Sequence, residues 1–136
     1  MRSKNWLVLG GLLTMLVLQL MSTSCSQSRP ATVTLGAQDD GRTITLGGDD
    51  TLIIELEGNP TTGFSWEVEA VDDAVLAPQG DAGYTASETG LVGSGGVFSF
   101  TFKAASRGET ALQLVYHRSW ENVAPADAFG VTVVVN

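Results

Sequence analysis

The chain of 136 residues contains one cysteine and one histidine, and these two residues limit the catalytic chemistry that it could perform. A thiol nucleophile needs a base such as histidine, but Cys25 lies just after an N-terminal export segment, where we expect its thiol to be blocked by acylation, so a pair of Cys25 with His117 is not expected. A serine nucleophile with a histidine and an aspartate would depend entirely on His117. We therefore predict a protein without catalytic residues, which is not an enzyme.

Three pairs of adjacent aspartates could suggest a calcium site. They are Asp39-Asp40, Asp49-Asp50 and Asp72-Asp73. None has the alternating ligand spacing of a calcium-binding loop, and aspartate is common in turns because its side chain bonds to the nearby backbone. We predict solvated turns here, with no metal site and no cofactor.

The segment from residue 59 to residue 66 combines a stiff polar turn with the start of an alternating strand. Pro60 fixes its own φ, and Gly63 tolerates backbone angles that other residues resist. Thr61 and Thr62 are β-branched with few rotamers, so a surface that bound a partner through them would lose little side-chain entropy. The segment therefore suits a rigid binding loop, although the same residue types also occur in purely structural turns.

The N-terminus has the features of an export signal. Arg2 and Lys4 precede the uncharged run 6–21, which is followed by the small polar residues 22–24 and then Cys25. The run is interrupted by polar residues and glycines, and it is shorter than the roughly 20 residues that a spanning helix needs. We predict a signal peptide over 1–24, a tether over 25–31 and one folded domain over 32–136.

The same segment resembles a bacterial lipoprotein signal, although Ser22 stands where such signals usually have leucine. The resemblance implies that Cys25 becomes the lipidated first residue and that Ser26 favours the outer membrane, so the exported protein would be anchored to the cell envelope through its lipid. Release as an ordinary secreted protein is the alternative. A single cysteine cannot form a disulfide within the chain.

The charge of the exported part argues against a nucleic-acid partner. Cleavage would leave five of the seven basic residues against all fifteen acidic ones, lowering the formal net charge of −8 by two. Nucleic-acid backbones are held by clustered lysine and arginine, and the remaining basic residues are scattered.

Alternation of apolar and polar residues predicts an all-β domain. Phe98, Phe100 and Phe102 share one face of the clearest strand, and Trp66 falls on the apolar face of another. We expect 32–35 and 42–46 to form a strand pair, and 72–90 to contain at most one short strand near 75–76. The spacing of turns predicts an immunoglobulin-like antiparallel β-sandwich of seven or eight strands without a disulfide.

Three loops in this order and spacing resemble those of the chagasin-like inhibitors of papain-family cysteine proteases. The resemblance covers most of 32–136 and is most specific over 59–66, where an aromatic residue, a small residue and tryptophan follow the first loop. The loops are Asn59-Pro60-Thr61-Thr62-Gly63, Val92-Gly93-Ser94-Gly95-Gly96 and Arg118-Ser119-Trp120.

The resemblance implies that the three loops gather at one end of the sandwich and enter the cleft of the protease. Thr61 and Thr62 would lie nearest the catalytic cysteine of the target. The loop of Gly93, Ser94, Gly95 and Gly96 would make backbone contacts on the substrate-binding side, and Arg118 and Trp120 would contact the other flank. Large aromatic residues dominate binding energies, so Trp120 is the best candidate for a hot spot.

The family usually has proline where this chain has Ser119. Losing the fixed φ of proline should leave the third loop more mobile, so we expect weaker binding or a shifted target preference. The simplest expectation is a monomer that forms a one-to-one complex with its target. The alternative function is a tethered β-sandwich that binds another partner in the cell envelope without inhibiting a protease.

Overall fold

The computed structural model describes residues 28–136. The predicted signal peptide, Cys25 and the first part of the tether therefore lie outside the described residues. Within the described part, no helix is long and apolar enough to cross a membrane.

Almost all of the regular secondary structure of the described chain is strand, which confirms the all-β prediction. Residues 72–90 contain two strands, where at most one was expected. The nine strands are β1 (Thr32–Leu35), β2 (Thr43–Leu46), β3 (Thr51–Gly58), β4 (Ser65–Ala70), β5 (Leu76–Pro78), β6 (Gly83–Ala86), β7 (Gly96–Ala104), β8 (Gly108–His117) and β9 (Asp127–Val135), with single 3₁₀ turns at Ala37–Asp39 and Pro60–Thr62.

The strands form two sheets that pack face to face as a sandwich. One sheet has the order β1-β3-β7-β5, with β6 also paired to β7, and the other has the order β2-β9-β8-β4. The three alternating phenylalanines of β7 are buried, as predicted, and each lies opposite a buried aliphatic residue of β3. Trp66 is also buried in the core, again as predicted.

The predicted strand pair of 32–35 and 42–46 is wrong, because β1 and β2 lie in different sheets. β1 runs parallel to β3, and β2 runs parallel to β9, so both sheets are mixed rather than purely antiparallel. The connection from β1 to β2 crosses from one sheet to the other, and two aspartates of this connection stabilise it by hydrogen bonds. Asp39 accepts a hydrogen bond from the Gly36 amide at 3.0 Å, and Asp40 accepts one from the Gly130 amide at 2.7 Å.

The topology places the three candidate loops at one end of the sandwich, called here the loop end. β3 runs into the first loop, β7 begins after the second, and β8 runs into the third. The N-terminal segment enters at the opposite end, because Thr32 of β1 pairs with Thr51, the first residue of β3. At about 3.3 Å per residue, the length of β3 separates the two ends by about 25 Å.

Asp50 fixes the point at which the chain enters the domain. Its carboxylate accepts hydrogen bonds from the Ala31 amide and the Gly47 amide, both at 2.7 Å. These two backbone donors, Ala31 first, lower the pKa of Asp50 below the ordinary value of an aspartate because they stabilise its charged form.

This lowered pKa predicts how the stability of the domain depends on pH. The stabilisation by the charged carboxylate is complete above the pKa of the unfolded chain and is lost as the pH falls through the lower pKa of the folded state. Asp50→Asn should therefore reduce the free energy of unfolding near neutral pH, and the difference from the wild type should shrink on acidification. Urea denaturation of the wild type and of Asp50→Asn over a series of pH values measures this difference in the free energy of unfolding.

Asp81→Asn, at an exposed aspartate just before β6, is the control and should show no such trend. A difference between the wild type and Asp50→Asn that stayed constant or grew on acidification would contradict this role of Asp50.

Candidate functional site

The first loop, residues 59–63, is a single 3₁₀ turn capped by its own first residue. Asn59 Oδ1 accepts hydrogen bonds from the Thr61 amide at 3.1 Å and from the Thr61 hydroxyl at 2.6 Å. The Thr62 hydroxyl donates to the Asn59 carbonyl at 2.6 Å. Pro60 occupies the first position of the turn, where its missing N–H costs nothing. The loop is therefore a turn closed by hydrogen bonds among its own residues.

Gly63 ends this turn in the left-handed conformation, with φ of 84°. A side chain here would be strained, and it would also collide with the third loop, because a Cβ atom would lie 2.7 Å from Cη2 of Trp120. Glycine is thus needed twice, for the backbone angle and for the contact with the indole ring.

The second loop, residues 91–95, is joined to the first through Asn59. Asn59 Nδ2 donates a hydrogen bond to the Gly93 carbonyl at 2.7 Å. Gly95 has φ of 77°, and a Cβ atom on it would lie 2.9 Å from the Gly58 carbonyl oxygen, so only glycine lets the two segments come this close. Ser94 lies between these glycines and is exposed.

Gly96 differs in position from the other residues predicted for the second loop. It is the first residue of β7, paired with Gly58 on one side and Ala86 on the other. A Cβ atom on Gly96 would clash with the carbonyl oxygen of Thr85. The structure therefore places Gly96 as the base of the loop, between two strands, and not at its tip.

The third loop, residues 118–121, is joined to the first through Arg118. Arg118 Nε donates to the Thr62 carbonyl at 3.0 Å, and its guanidinium carbon lies 4.3 Å from the centre of the Phe64 ring. Arg118 Nη1 also donates to Glu121 Oε1 at 3.0 Å. Together with the packing of Trp120 on Gly63, these contacts bring the first and third loops side by side.

Tyr116, the second-to-last residue of β8, supports the loops from below, and it was not among the site residues predicted from the sequence. Its hydroxyl accepts a hydrogen bond from the Asn59 amide at 2.9 Å. Its ring centre lies 5.3 Å from that of Phe64 and 5.2 Å from that of Trp66. The available signal was a tyrosine at a strand end, because a partly buried tyrosine hydroxyl usually finds a polar partner.

The outward surface of the three loops is a polar ridge with an apolar patch on each side. Thr61 and Thr62 are exposed on the ridge, while Ser119 and Trp120 are exposed beside it. Large exposed apolar residues flank the ridge on both sides, and such patches often mark sites of protein association. They are Leu91 and Val92 in the second loop, Trp120 in the third loop and Val123 just after it. Val92 belongs to the second loop predicted from the sequence but was given no contact role there, and Leu91 and Val123 lay outside the predicted loops.

His117, the one histidine of the chain, lies at the end of β8 next to this surface. Its Nε2 lies 2.7 Å from a carboxylate oxygen of Glu67. Among residues 28–136, no group of three or more histidine, cysteine, aspartate or glutamate side chains could hold a metal ion.

The hydrogen bonds of Asn59 predict a graded loss of stability. Asn59→Ala removes the cap and the link to the second loop, so we expect the free energy of unfolding to fall by about 1–3 kcal/mol. Asn59→Asp keeps oxygen acceptors for the Thr61 donors but loses the donor to Gly93, and should cost less, about 0.5–1.5 kcal/mol. Urea denaturation of both variants tests this order. If both variants lost the same free energy of unfolding, the hydrogen bonds from Thr61 to the side chain of residue 59 would add nothing to the bond with Gly93.

Comparison with known proteins places the chain in a family of peptidase inhibitors. Residues 45–133 match the model of the Chagasin family peptidase inhibitor I42. Amoebiasin-1 of Entamoeba histolytica is 30% identical over 105 residues, which cover 76% of this chain and 99% of the relative. Chagasin of Trypanosoma cruzi is 29% identical over 86 residues, which cover 60% of this chain and 76% of the relative.

The fold is also shared with a solved structure, that of the cysteine protease inhibitor EhICP2 from Entamoeba histolytica. The TM-score is 0.70 at 23% identity, and the match covers 80% of this chain and 99% of that one. The matched part makes up almost the whole of both Entamoeba chains.

Proposed function

This chain belongs to the chagasin family of peptidase inhibitors, and we propose that it inhibits papain-family cysteine proteases by inserting its three loops into the active-site cleft. Family membership agrees with the prediction that the chain is an inhibitor and not an enzyme. The observation that carries the proposal is the locking of all three loops around the first one, through Asn59 and Arg118. A surface that is already ordered loses little conformational entropy when it binds.

The first loop is the part that would occupy the catalytic centre, with Thr61 and Thr62 nearest to the cysteine of the target. Both hydroxyl groups donate within the loop, so their methyl groups and oxygen lone pairs remain for the protease. In the flanking loops, Gly93, Ser94 and Gly95 would contact one side of the cleft, while Trp120 would contact the other side.

The hydrogen bonds of the first loop also explain how it would resist cleavage. Three of its carbonyl groups are already bonded inside the domain: Asn59 to Thr62, Pro60 to Gly63, and Thr62 to Arg118. A protease acts on an extended peptide whose carbonyl it can polarise, whereas this loop is a closed turn. The loop would fill the site without offering a scissile bond in the required geometry.

A titration of papain with the domain beginning at Ser26 tests the proposal. We expect stoichiometric loss of peptidase activity with the wild type. Trp120→Ala should weaken inhibition by about 30-fold or more, because a large aromatic hot spot contributes about 2 kcal/mol or more. A double Thr61→Ala, Trp120→Ala variant should weaken it further. No inhibition of several papain-like enzymes by a folded wild type would favour the alternative, a module that binds another envelope partner.

Two glycine substitutions provide a matched control for this titration. Gly63→Ala and Gly41→Ala both place a side chain at a positive φ, of 84° and 79° respectively, so both carry backbone strain. Only the methyl group at residue 63 would displace Trp120, since nothing lies within 4 Å of a Cβ atom at residue 41. Gly63→Ala should therefore lose inhibition while Gly41→Ala keeps it. Equal effects would indicate that general destabilisation is responsible.

We further propose that Cys25 carries a lipid anchor and that the domain acts while it is attached to the cell envelope. The N-terminal segment enters at the end of the sandwich opposite the loops, where Asp50 binds Ala31. An anchor attached there would hold the loops about 25 Å or more from the lipid surface and facing away from it. The inhibitor could then act while still anchored.

Expression of the full chain in a bacterium with two membranes tests the anchor. We expect the wild type to incorporate labelled palmitate and to sediment with membranes, and these membranes to inhibit added papain. Cys25→Ala should lose both the label and the sedimentation. A wild type that is released without lipid would support the secreted alternative, and anchored protein that cannot inhibit papain would contradict the outward orientation.

A further inference from the structure

We propose that Glu121 is a positioning residue of the third loop and supplies the restraint that a proline at position 119 would supply by fixing its φ. The inference rests on the proposed function, because the loop matters through its contacts with a protease. Glu121 itself was not among the predicted site residues. Its role follows from the way in which it closes the turn that carries Ser119 and Trp120.

Two hydrogen bonds connect the ends of this turn. The Glu121 amide donates to the Arg118 carbonyl at 3.0 Å, and Arg118 Nη1 donates to Glu121 Oε1 at 3.0 Å. Ser119 and Trp120 lie between these connected residues. A backbone link and a side-chain link across the same four residues restrict how far the two intervening residues can move.

The side-chain link also holds Arg118 in the position that the other loops require. The guanidinium of Arg118 is bound by Glu121 on one nitrogen, donates to Thr62 from another, and stacks over Phe64. Only the bond to Glu121 is charge-assisted on both sides, and such bonds are stronger than neutral ones. Removing that carboxylate leaves Arg118 freer to leave Thr62, and so loosens the connection between the third loop and the first.

Trp120 is the residue whose position depends on this turn. Its indole ring packs against Gly63, yet Trp120 as a residue is 70% exposed. The ring is therefore held from one side only, and its direction depends on the backbone of residues 118–121. A fixed direction preserves the population of domains that are ready to bind, since the apparent affinity falls in proportion to that population.

Ser119 makes this restraint necessary. Serine does not fix its φ, whereas proline would hold it near −65°. Within the described part of the chain, the Ser119 amide donates no hydrogen bond, so proline at this position would remove none. Glu121 and a proline at 119 are therefore alternative ways to order the same turn.

The contrasting interpretation is an ordinary surface ion pair. The side chains of Arg118 and Glu121 are each 35% exposed, and pairs of this kind contribute little to the stability of a fold. The two interpretations differ in one measurable respect. A positioning role affects inhibition and is compensated by proline at 119, whereas an ordinary surface pair does neither.

The experiment compares four forms of the domain: the wild type, Glu121→Gln, Ser119→Pro, and the double variant. We expect Glu121→Gln to raise the inhibition constant for papain roughly two- to fivefold, mainly through slower association. The same substitution should cost much less when Ser119→Pro is present, because the two restraints replace each other. Glu109→Gln, at an exposed carboxylate near the other end of β8, is the matched control and should leave inhibition unchanged.

Hydrogen exchange of the Glu121 amide provides a second measurement that needs no protease. This exchange should be faster in Glu121→Gln than in the wild type, and Ser119→Pro should restore the protection. Unchanged exchange and inhibition in Glu121→Gln, or effects that simply add in the double variant, would overturn the inference. If the wild type fails to inhibit papain while the exchange pattern appears as expected, the proposed function fails and the positioning role of Glu121 stands.

Discussion

The hydrogen bonds of Asn59 are the interactions on which the candidate surface depends. Its amide donates to Tyr116, its side chain caps the first loop and reaches the second, and its carbonyl accepts from Thr62. One residue thus joins the core beneath the loops to two of the three segments above it. The third segment is added by Arg118, which binds the end of the turn that Asn59 begins.

The sandwich supplies a rigid base for these bonds. β3 and β7 meet at the loop end through Gly58 and Gly96, where the absence of side chains lets three strands and the second loop approach closely. The buried leucine, isoleucine and phenylalanine pairs further along the same strands fix their register. Core packing therefore determines where each loop starts, and hydrogen bonds between the loops determine how they lie against each other.

Much of this arrangement was predictable from the sequence, because period-2 alternation depends on neighbouring residues. The buried faces of β3 and β7, the burial of Trp66 and the stiffness of the first loop all follow from such local patterns. The separation of β1 and β2 into different sheets was not predictable in this way, because β1 pairs with β3, β2 pairs with the distant β9, and the connection between them bonds to Gly130. For the same reason, the sequence did not distinguish the strand position of Gly96 from a loop position, nor the support that Tyr116 gives to Asn59.

The arrangement of the two ends of the sandwich makes the domain modular. Ala31 and Asn136 both lie at the end away from the loops, where each hydrogen bonds to the framework, Ala31 with Asp50 and Asn136 with Leu46. Another domain or a second copy joined beside Ala31 or Asn136 would lie away from the loops. Copies joined in series would each present a complete surface, and a linker of suitable length would raise the effective concentration of the second site once the first is engaged. The fold thus suits the construction of multivalent inhibitors as well as single ones.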